Sequence, residues 1–301
     1  HLSHGATSIF PTISPSSKDK IISIDGLCSK LIGKEGSTIK GLHLVGPYLS
    51  EDMTKNQYDV KNPDPQEYKE IVEKTSCIRR WDAAPELPGS EEFAAALKEN
   101  GILPVISHTI AEYKEVLAGF NAGFTHTAQL YNAMPGFHKK REYKYEGTVE
   151  SVYLIDDMTT EVIADGKHLP ATILRLVYRI KGVEKLALVT AALAYADYEG
   201  EANPDDNVYI ENGVAKLLSV SGLDKIKDND KITFGVICFL FVLKVGTTLR
   251  DAVRMASETP AKIMGIYDKV GSLEKGKDAD VLILNHHYEI CGIWSKGKQV
   301  K

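Results

Sequence analysis

Four short polar clusters stand at the ends of apolar runs, and each carries side chains able to hold a metal ion or move a proton. They are His43-Leu44-Val45-Gly46-Pro47, Ser107-His108-Thr109, Thr125-His126-Thr127-Ala128-Gln129 and Asp165-Gly166-Lys167-His168. Imidazoles and a carboxylate gathered around one divalent ion such as Zn²⁺ bring the pKa of a bound water toward neutrality and make it a nucleophile. Taken singly, a strand-end histidine is more often a hydrogen-bonded structural group than a ligand. Side chains alternate along a strand, so His43 and Val45 share one face, as do Thr125, Thr127 and Gln129. Histidines from different strands can therefore converge.

The apolar runs lie at residues 7–11, 39–44, 78–82, 103–108, 124–130, 160–164 and 186–190. Helix-like segments separate them, among them 90–100 with Gly101 as a C-cap and 110–121 with Gly123 just beyond. Strand and helix alternating in this way, with runs too apolar to be half exposed, predict an α/β fold built on a parallel (β/α) barrel. Such a barrel closes with eight strands, so the spacing predicts a first strand upstream of residue 1. The opening His1-Leu2-Ser3-His4-Gly5 has neither an initiator Met nor a signal-peptide pattern, which fits a natural N-terminus lying further upstream. After about residue 200 the pattern changes to a hairpin at 208–218 around Glu211-Asn212-Gly213, a helix at 249–264, and strands over 271–301. The expected division is a barrel over 1–265 and a small β-sandwich portion over 266–301.

Composition narrows the function. The chain has 301 residues, 43% hydrophobic and 26% charged, enough for a full core and an ordinary soluble surface. A formal charge of −5, with Lys and Arg scattered, offers no basic stripe for nucleic acid. Cys28, Cys77, Cys238 and Cys291 are far apart, which reads as free thiols in a reducing compartment and predicts a cytoplasmic protein. The longest apolar run, 234–243, is ten residues, against the roughly twenty that cross a bilayer. No membrane partner is expected, and the run reads as core.

The runs Gly41-Leu42-His43-Leu44-Val45-Gly46-Pro47, Ala84-Pro85-Glu86-Leu87-Pro88-Gly89, Ser107-His108-Thr109, Leu130-Tyr131-Asn132-Ala133-Met134 and Ile163-Ala164-Asp165-Gly166-Lys167-His168 resemble those of the N-acetylglucosamine-6-phosphate deacetylases, in order and in spacing. Glu258-Thr259-Pro260-Ala261-Lys262 and the stretch from Gly271 to Asp280 resemble a tail shared more widely by amidohydrolases. The likeness covers about residues 1–216 and 249–301, and 217–248 carries none. It implies a TIM-type (β/α) barrel of the amidohydrolase kind, here lacking its first strand, with a small β-sandwich remnant at the C-terminus. It also implies removal of the acetyl group from an amino-sugar phosphate by water bound to a divalent metal.

The resemblance carries over residue by residue, with gaps. The family's metal ligands fall on Val45, His108 and Gln129, and its acid/base aspartate falls on Ala191. Val45 offers no donor and Gln129 only a neutral amide oxygen. Ala191 cannot relay a proton. Substrate-binding positions fare better: Asn132 and Ala133 retain the sugar-contacting pair, His168 matches a sugar-contacting histidine, and Arg141 stands where an arginine meets the phosphate, commonly across a homodimer interface. Without the resemblance, Arg141 reads as a solvated charge within Lys139-Lys140-Arg141. Three readings remain open at this level. They are a deacetylase that is weak or inactive, an active one with a rearranged metal set (His43, His108, His126, Gln129, and Asp165 or Asp82 as base), and a non-catalytic sugar-phosphate binder.

Overall fold

Seven of the strands line up in one parallel sheet, in sequence order, in the computed structural model. They are β1 (Thr12–Ile13), β2 (Leu42–Val45), β3 (Ile78–Ala83), β4 (Leu103–Ile106), β5 (His126–Thr127), β6 (Thr159–Ile163) and β7 (Leu186–Val189). Every neighbouring pair is parallel. The structure describes residues 1–34, 36–54, 59–165, 168–192, 200–203, 208–211, 214–219, 222–225 and 241–301. Helices α1 (Lys18–Leu31), α2 (Pro65–Lys74), α3 (Ser90–Glu99), α4 (Tyr113–Ala122), α5 (Thr148–Leu154), α6 (Ala171–Lys185), α7 (Leu249–Ala256) and α8 (Glu258–Ile263) connect or follow the strands. This is the α/β, TIM-type (β/α) architecture that the alternating pattern requires.

The two-residue period divides each strand between two cores. On β3, Trp81 and Ala83 face the helices, and Arg80 and Asp82 face inward, where they bond to each other. Outside the sheet, Trp81 packs against Tyr48 and against Phe93 of α3, with ring centroids 5.8 and 5.2 Å away, and Phe93 also meets Tyr68 of α2 at 5.3 Å. These rings are fully buried, so the cluster, stacked at Tyr48–Trp81 and edge-to-face at Phe93, anchors two helices to the middle of the sheet. Helix ends follow local chemistry. Asp64 accepts the Gln66 N–H at 2.9 Å ahead of Pro65 at the first turn of α2, and Gly101, at φ +69°, follows α3.

Three expected elements are redrawn. The run at 7–11 divides at Pro11 into Ser8–Ile9, which pairs with Thr38–Ile39 outside the barrel, and β1, which pairs with β2. The helix expected at 110–121 begins at Tyr113, because the Glu86 carboxylate takes the Ile110 N–H at 2.8 Å and the Thr109 hydroxyl at 2.5 Å and holds those residues outside the helix. The helix expected at 249–264 breaks at Ser257 (φ −136°, ψ −65°) into α7 and α8, three residues before Pro260, which has no N–H to continue the ladder.

The expected hairpin is present as Val208–Glu211 against Val214–Ser219, extended to a four-stranded antiparallel sheet by Gly200–Asn203 and Gly222–Lys225. The tail forms a three-stranded antiparallel sheet, Val281–Leu284, Ile290–Ser295 and Lys298–Gln299. The Asn212-Gly213 turn, Gly166-Lys167, and 226–240 with most of the apolar run lie outside the described residues.

One buried ammonium joins two helices. Lys181 of α6 is 6% exposed, and its Nζ donates to the carbonyls of Val152 and Ile155, each at 3.0 Å, where α5 ends. Replacing it with Met keeps the aliphatic stem and strands those acceptors. Lys181→Met is expected to cost about 1–3 kcal/mol, read as a lower urea midpoint at unchanged slope; an unmoved midpoint would show that water takes over the capping.

Candidate active site

The inside of the sheet is ionic. Arg80 Nε and Nη2 donate to Asp82 Oδ1 and Oδ2 at 2.7 and 3.1 Å, and Nη1 and Nη2 donate to Glu161 Oε2 and Oε1 at 2.7 and 3.0 Å. In a flat sheet β3 and β6 would stand roughly 14 Å apart, and side chains rising perpendicular from them would not meet. A doubly bidentate contact therefore requires a rolled sheet with β3 and β6 facing each other across its interior.

Two histidines close the ends of this ladder. His126 Nε2 lies 3.2 Å from Glu161 Oε2 and Nδ1 2.8 Å from Thr159 Oγ1. His43 Nδ1 lies 3.0 Å from Thr12 Oγ1, and its Nε2 is 2.9 Å from Asp82 Oδ1. That last approach falls short of hydrogen-bond geometry, so the buried Nε2 has no hydrogen-bond partner among the described residues.

Charge follows from this packing. Burial alone would raise the two carboxylates, but the Arg80 guanidinium outweighs it and holds both Asp82 and Glu161 below the usual carboxylate range. Burial pushes the His126 imidazole down, opposed by Glu161, and pushes His108 down, opposed by Asp82. Both rings are consequently neutral at pH 7.

The sequence-predicted residues sit above the ladder, at the C-terminal ends of the strands, where barrel active sites are built. Val45 ends β2 opposite Asp82 of β3 in the strand register. His108 follows β4, with Nδ1 2.8 Å from Ser107 Oγ; Gln129 follows β5, and Ala191 follows β7. His108, Gln129 and Ala191 adopt φ of +46°, +43° and +48°, a region that non-glycine residues seldom enter and that concentrates at functional sites. Beyond β6, Asp165 accepts from the His168 backbone N–H at 2.9 Å and contacts its Nδ1 at 2.5 Å, which fixes the ring. The Asn132 N–H donates to the Gln129 carbonyl at 2.9 Å, which turns the loop after β5, and the Thr109 N–H donates to the Ala133 carbonyl at 3.1 Å, which ties that loop to the one after β4. Arg141 stands apart. It occupies the turn between His138–Lys140 and Tyr143–Tyr145, exposed, and its guanidinium makes no ion pair among the described residues.

The alternation that would put Thr125, Thr127 and Gln129 on one face does not reach Gln129, because β5 is only two residues long. His126 points inward, Thr127 points outward to Met158 Sδ at 3.2 Å, and Gln129 follows on turned backbone. His126 is spent on Thr159 and Glu161, Asp82 on Arg80, and Asp165 on His168. Arg80, Glu161, Thr12 and Thr159 were not singled out by sequence reasoning. The available signal was charge at even spacing inside runs otherwise apolar enough to be buried, at positions 80, 82 and 161.

Comparison with known proteins agrees with this geometry. A model described as the amidohydrolase family matches residues 1–300. The chain is 28% identical to the N-acetylglucosamine-6-phosphate deacetylase of Haemophilus influenzae over 99% of its own length and 77% of that protein's, and 26% identical to the Homo sapiens protein of the same name over 99% and 74%. The crystal structure of the Pasteurella multocida N-acetylglucosamine-6-phosphate deacetylase superimposes with a TM-score of 0.85 at 25% identity, covering 99% of this chain and 78% of that one. An aspartate-to-alanine mutant of the Mycobacterium smegmatis deacetylase, in complex with N-acetyl-D-glucosamine-6-phosphate, superimposes at 0.83 with 26% identity, over 98% and 77%.

The ladder makes a prediction about acid. A carboxylate held low in the folded state takes up a proton on unfolding, so its contribution is present above the ordinary value near 4 and is lost as pH falls through the folded value. Stability should therefore climb as pH rises through that range, and the climb should be shallower in Glu161→Gln, which has one such carboxylate fewer. At pH 7 the same variant should lose about 3 kcal/mol or more, since it half-unpairs a buried guanidinium. Equal slopes in denaturant titrations from pH 3 to 6 would remove Glu161 from the ladder.

Proposed function

The chain belongs to the amidohydrolase family, and on that footing we propose that its barrel mouth binds an amino-sugar phosphate of the N-acetylglucosamine 6-phosphate type and hydrolyses the acetamide weakly or not at all. Amidohydrolases typically work through a divalent metal, and the fit of this chain's donors to one is poor. Val45 has no donor atom, Gln129 supplies a neutral amide, and His108 is the only imidazole at the three expected ligand positions. Among the described residues, no three His, Cys, Asp or Glu side chains gather closely enough to cage an ion. The loss of a positioned acid/base at Ala191 would by itself cost about 10²–10⁴-fold in rate.

The observation that carries the binding half of the reading is the rim itself. Its backbone is held at positive φ at His108, Gln129 and Ala191, and His168 is locked by Asp165. In this reading His168 and Asn132 hydrogen-bond the sugar, Ala133 leaves room for it, and neutral His108 faces the acetamide. Arg141, exposed on its hairpin, meets the phosphate, and in a homodimer that phosphate would belong to the partner's site. Residues 1–265 act as the barrel unit, with 266–301 as a portion of a β-sandwich. A cytoplasmic setting suits a phosphorylated sugar, and no helix among the described residues is long and apolar enough to cross a membrane.

The deciding experiment measures acetate released from N-acetylglucosamine 6-phosphate, with and without added Zn²⁺, beside the thermal shift the same ligand produces. A shift without turnover is expected; stoichiometric metal and turnover would overturn the proposed impairment, and no shift would overturn the binding. Arg141→Ala should weaken the phosphorylated sugar much more than the unphosphorylated one, and equal weakening would sink its role. Val45→Glu, Gln129→His and Ala191→Asp combined should raise acetate release if the rim is otherwise sound. No gain in a folded triple variant would place the defect elsewhere.

A further inference from the structure

We infer that Glu86 is a positioning residue for the ligand-binding rim: its carboxylate, in the loop after β3, holds the segment 109–112 to which both the sugar-contacting loop and the phosphate-contacting hairpin are tied. For its ligand the inference rests on the sugar-phosphate reading of the mouth. Glu86 is partly buried, and both its oxygens are taken by neutral donors of that one segment. Oε2 accepts the Thr109 hydroxyl at 2.5 Å and Oε1 the Ile110 N–H at 2.8 Å. It makes no ion pair among the described residues. Burial pushes the carboxyl above its usual range, opposed most by the Thr109 hydroxyl and the Ile110 N–H, and Glu115 adds a second negative charge nearby. A carboxylate taken out of water without a cation is costly, and a neutral amide could join two loops at less cost. Groups kept under such conditions in a cleft concentrate at functional sites.

From the segment that Glu86 holds, contacts run to each part of the rim. The Thr109 N–H donates to the Ala133 carbonyl at 3.1 Å, in the loop that also carries Asn132. Thr109 Oγ1 accepts the Ala111 N–H at 2.9 Å, and the Ala111 carbonyl accepts the Thr148 hydroxyl at 2.7 Å, at the start of α5. The Glu112 carboxylate pairs with Lys140, the neighbour of Arg141 on its hairpin. His108 directly precedes the segment, and its carbonyl accepts the Ser50 N–H at 2.9 Å. Glu86 thus bonds to none of the residues assigned to the ligand. Each of His108, Ala133 and Arg141 is nevertheless joined, by the chain or by one contact beyond it, to backbone that Glu86 fixes. Loops of this kind have no ladder of their own to hold them, so a rim accurate enough to bind a sugar needs such support from behind.

The test is calorimetric titration of the full chain with N-acetylglucosamine 6-phosphate, beside amide hydrogen exchange without ligand. Glu86→Ala should raise the Kd about tenfold, the factor carried by one hydrogen bond to a charged group. Glu86→Gln, which offers an oxygen to Ile110 and an N–H to Thr109 in the same shape, should restore most of the affinity. An unchanged Kd in Glu86→Ala overturns the proposal. So does a Glu86→Gln chain as weak as Glu86→Ala, since the carboxylate would then act by its charge and not by position. If the wild-type chain does not bind the sugar phosphate, the binding reading fails, and exchange decides the positioning by itself. In Glu86→Ala the amides of Thr109 and Asn132, neither of which Glu86 touches, should exchange about tenfold faster than in wild type, with α3 unchanged. Acceleration confined to Ile110 would reduce Glu86 to a local contact and overturn the role. Should Glu86→Ala fail to fold, Thr109→Val removes the hydroxyl that the carboxylate holds and Thr109→Ser returns it. Weaker binding or faster Asn132 exchange in Thr109→Val, recovered in Thr109→Ser, supports the role, and no difference between the two overturns it.

Discussion

A guanidinium clamped between two carboxylates at the centre of the barrel is the interaction on which the remainder depends. Its donors come from β3 and its far acceptor from β6, so it can form only when the sheet has rolled, and every strand between must already be in register. A polar interior of this kind is costly when incomplete, since a half-satisfied buried network is worse than an apolar one. It therefore makes closure an all-or-nothing event for the middle strands, and it holds β2 through His43 and Asp82. The helices answer to a different core, the aromatic cluster around Trp81 and Phe93. Neighbouring residues of one strand, Arg80 and Trp81, thus serve the two sides of the sheet.

Much of the architecture was legible because it rests on periods. Alternating apolar runs and helical segments gave the order and direction of the seven strands, and the Gly101 and Gly123 stops were visible as caps. What could not be read depended on competition between distant groups. The late start of α4 is set by the Glu86 carboxylate, which comes from another loop. The break between α7 and α8 was visible in Pro260 yet masked by the strong helical pattern around it.

The site was legible in a different measure. Which residues occupy the rim followed from spacing and from resemblance, and the structure sets Val45, His108, Gln129 and Ala191 at the ends of β2, β4, β5 and β7. The direction of Gln129 relative to His126 did not follow, because a period argument fails where a strand stops after two residues. The ladder beneath was hidden for a simpler reason. Arg80, Asp82 and Glu161 each look out of place within a buried run, and their mutual satisfaction appears only when two strands far apart in the sheet are brought face to face.

The positive φ angles at His108, Gln129 and Ala191 have a consequence for how such a protein changes over generations. At the first two of these, hydrogen bonds from the Ser50 N–H to the His108 carbonyl and from the Asn132 N–H to the Gln129 carbonyl hold the backbone through main-chain atoms alone. The rim is thus a set of sockets whose shape is inherited separately from what is plugged into them. Selection on foldedness alone would not oppose the exchange of one plug for another of similar size. Backbone shape and side-chain chemistry can in this way vary independently at the same positions.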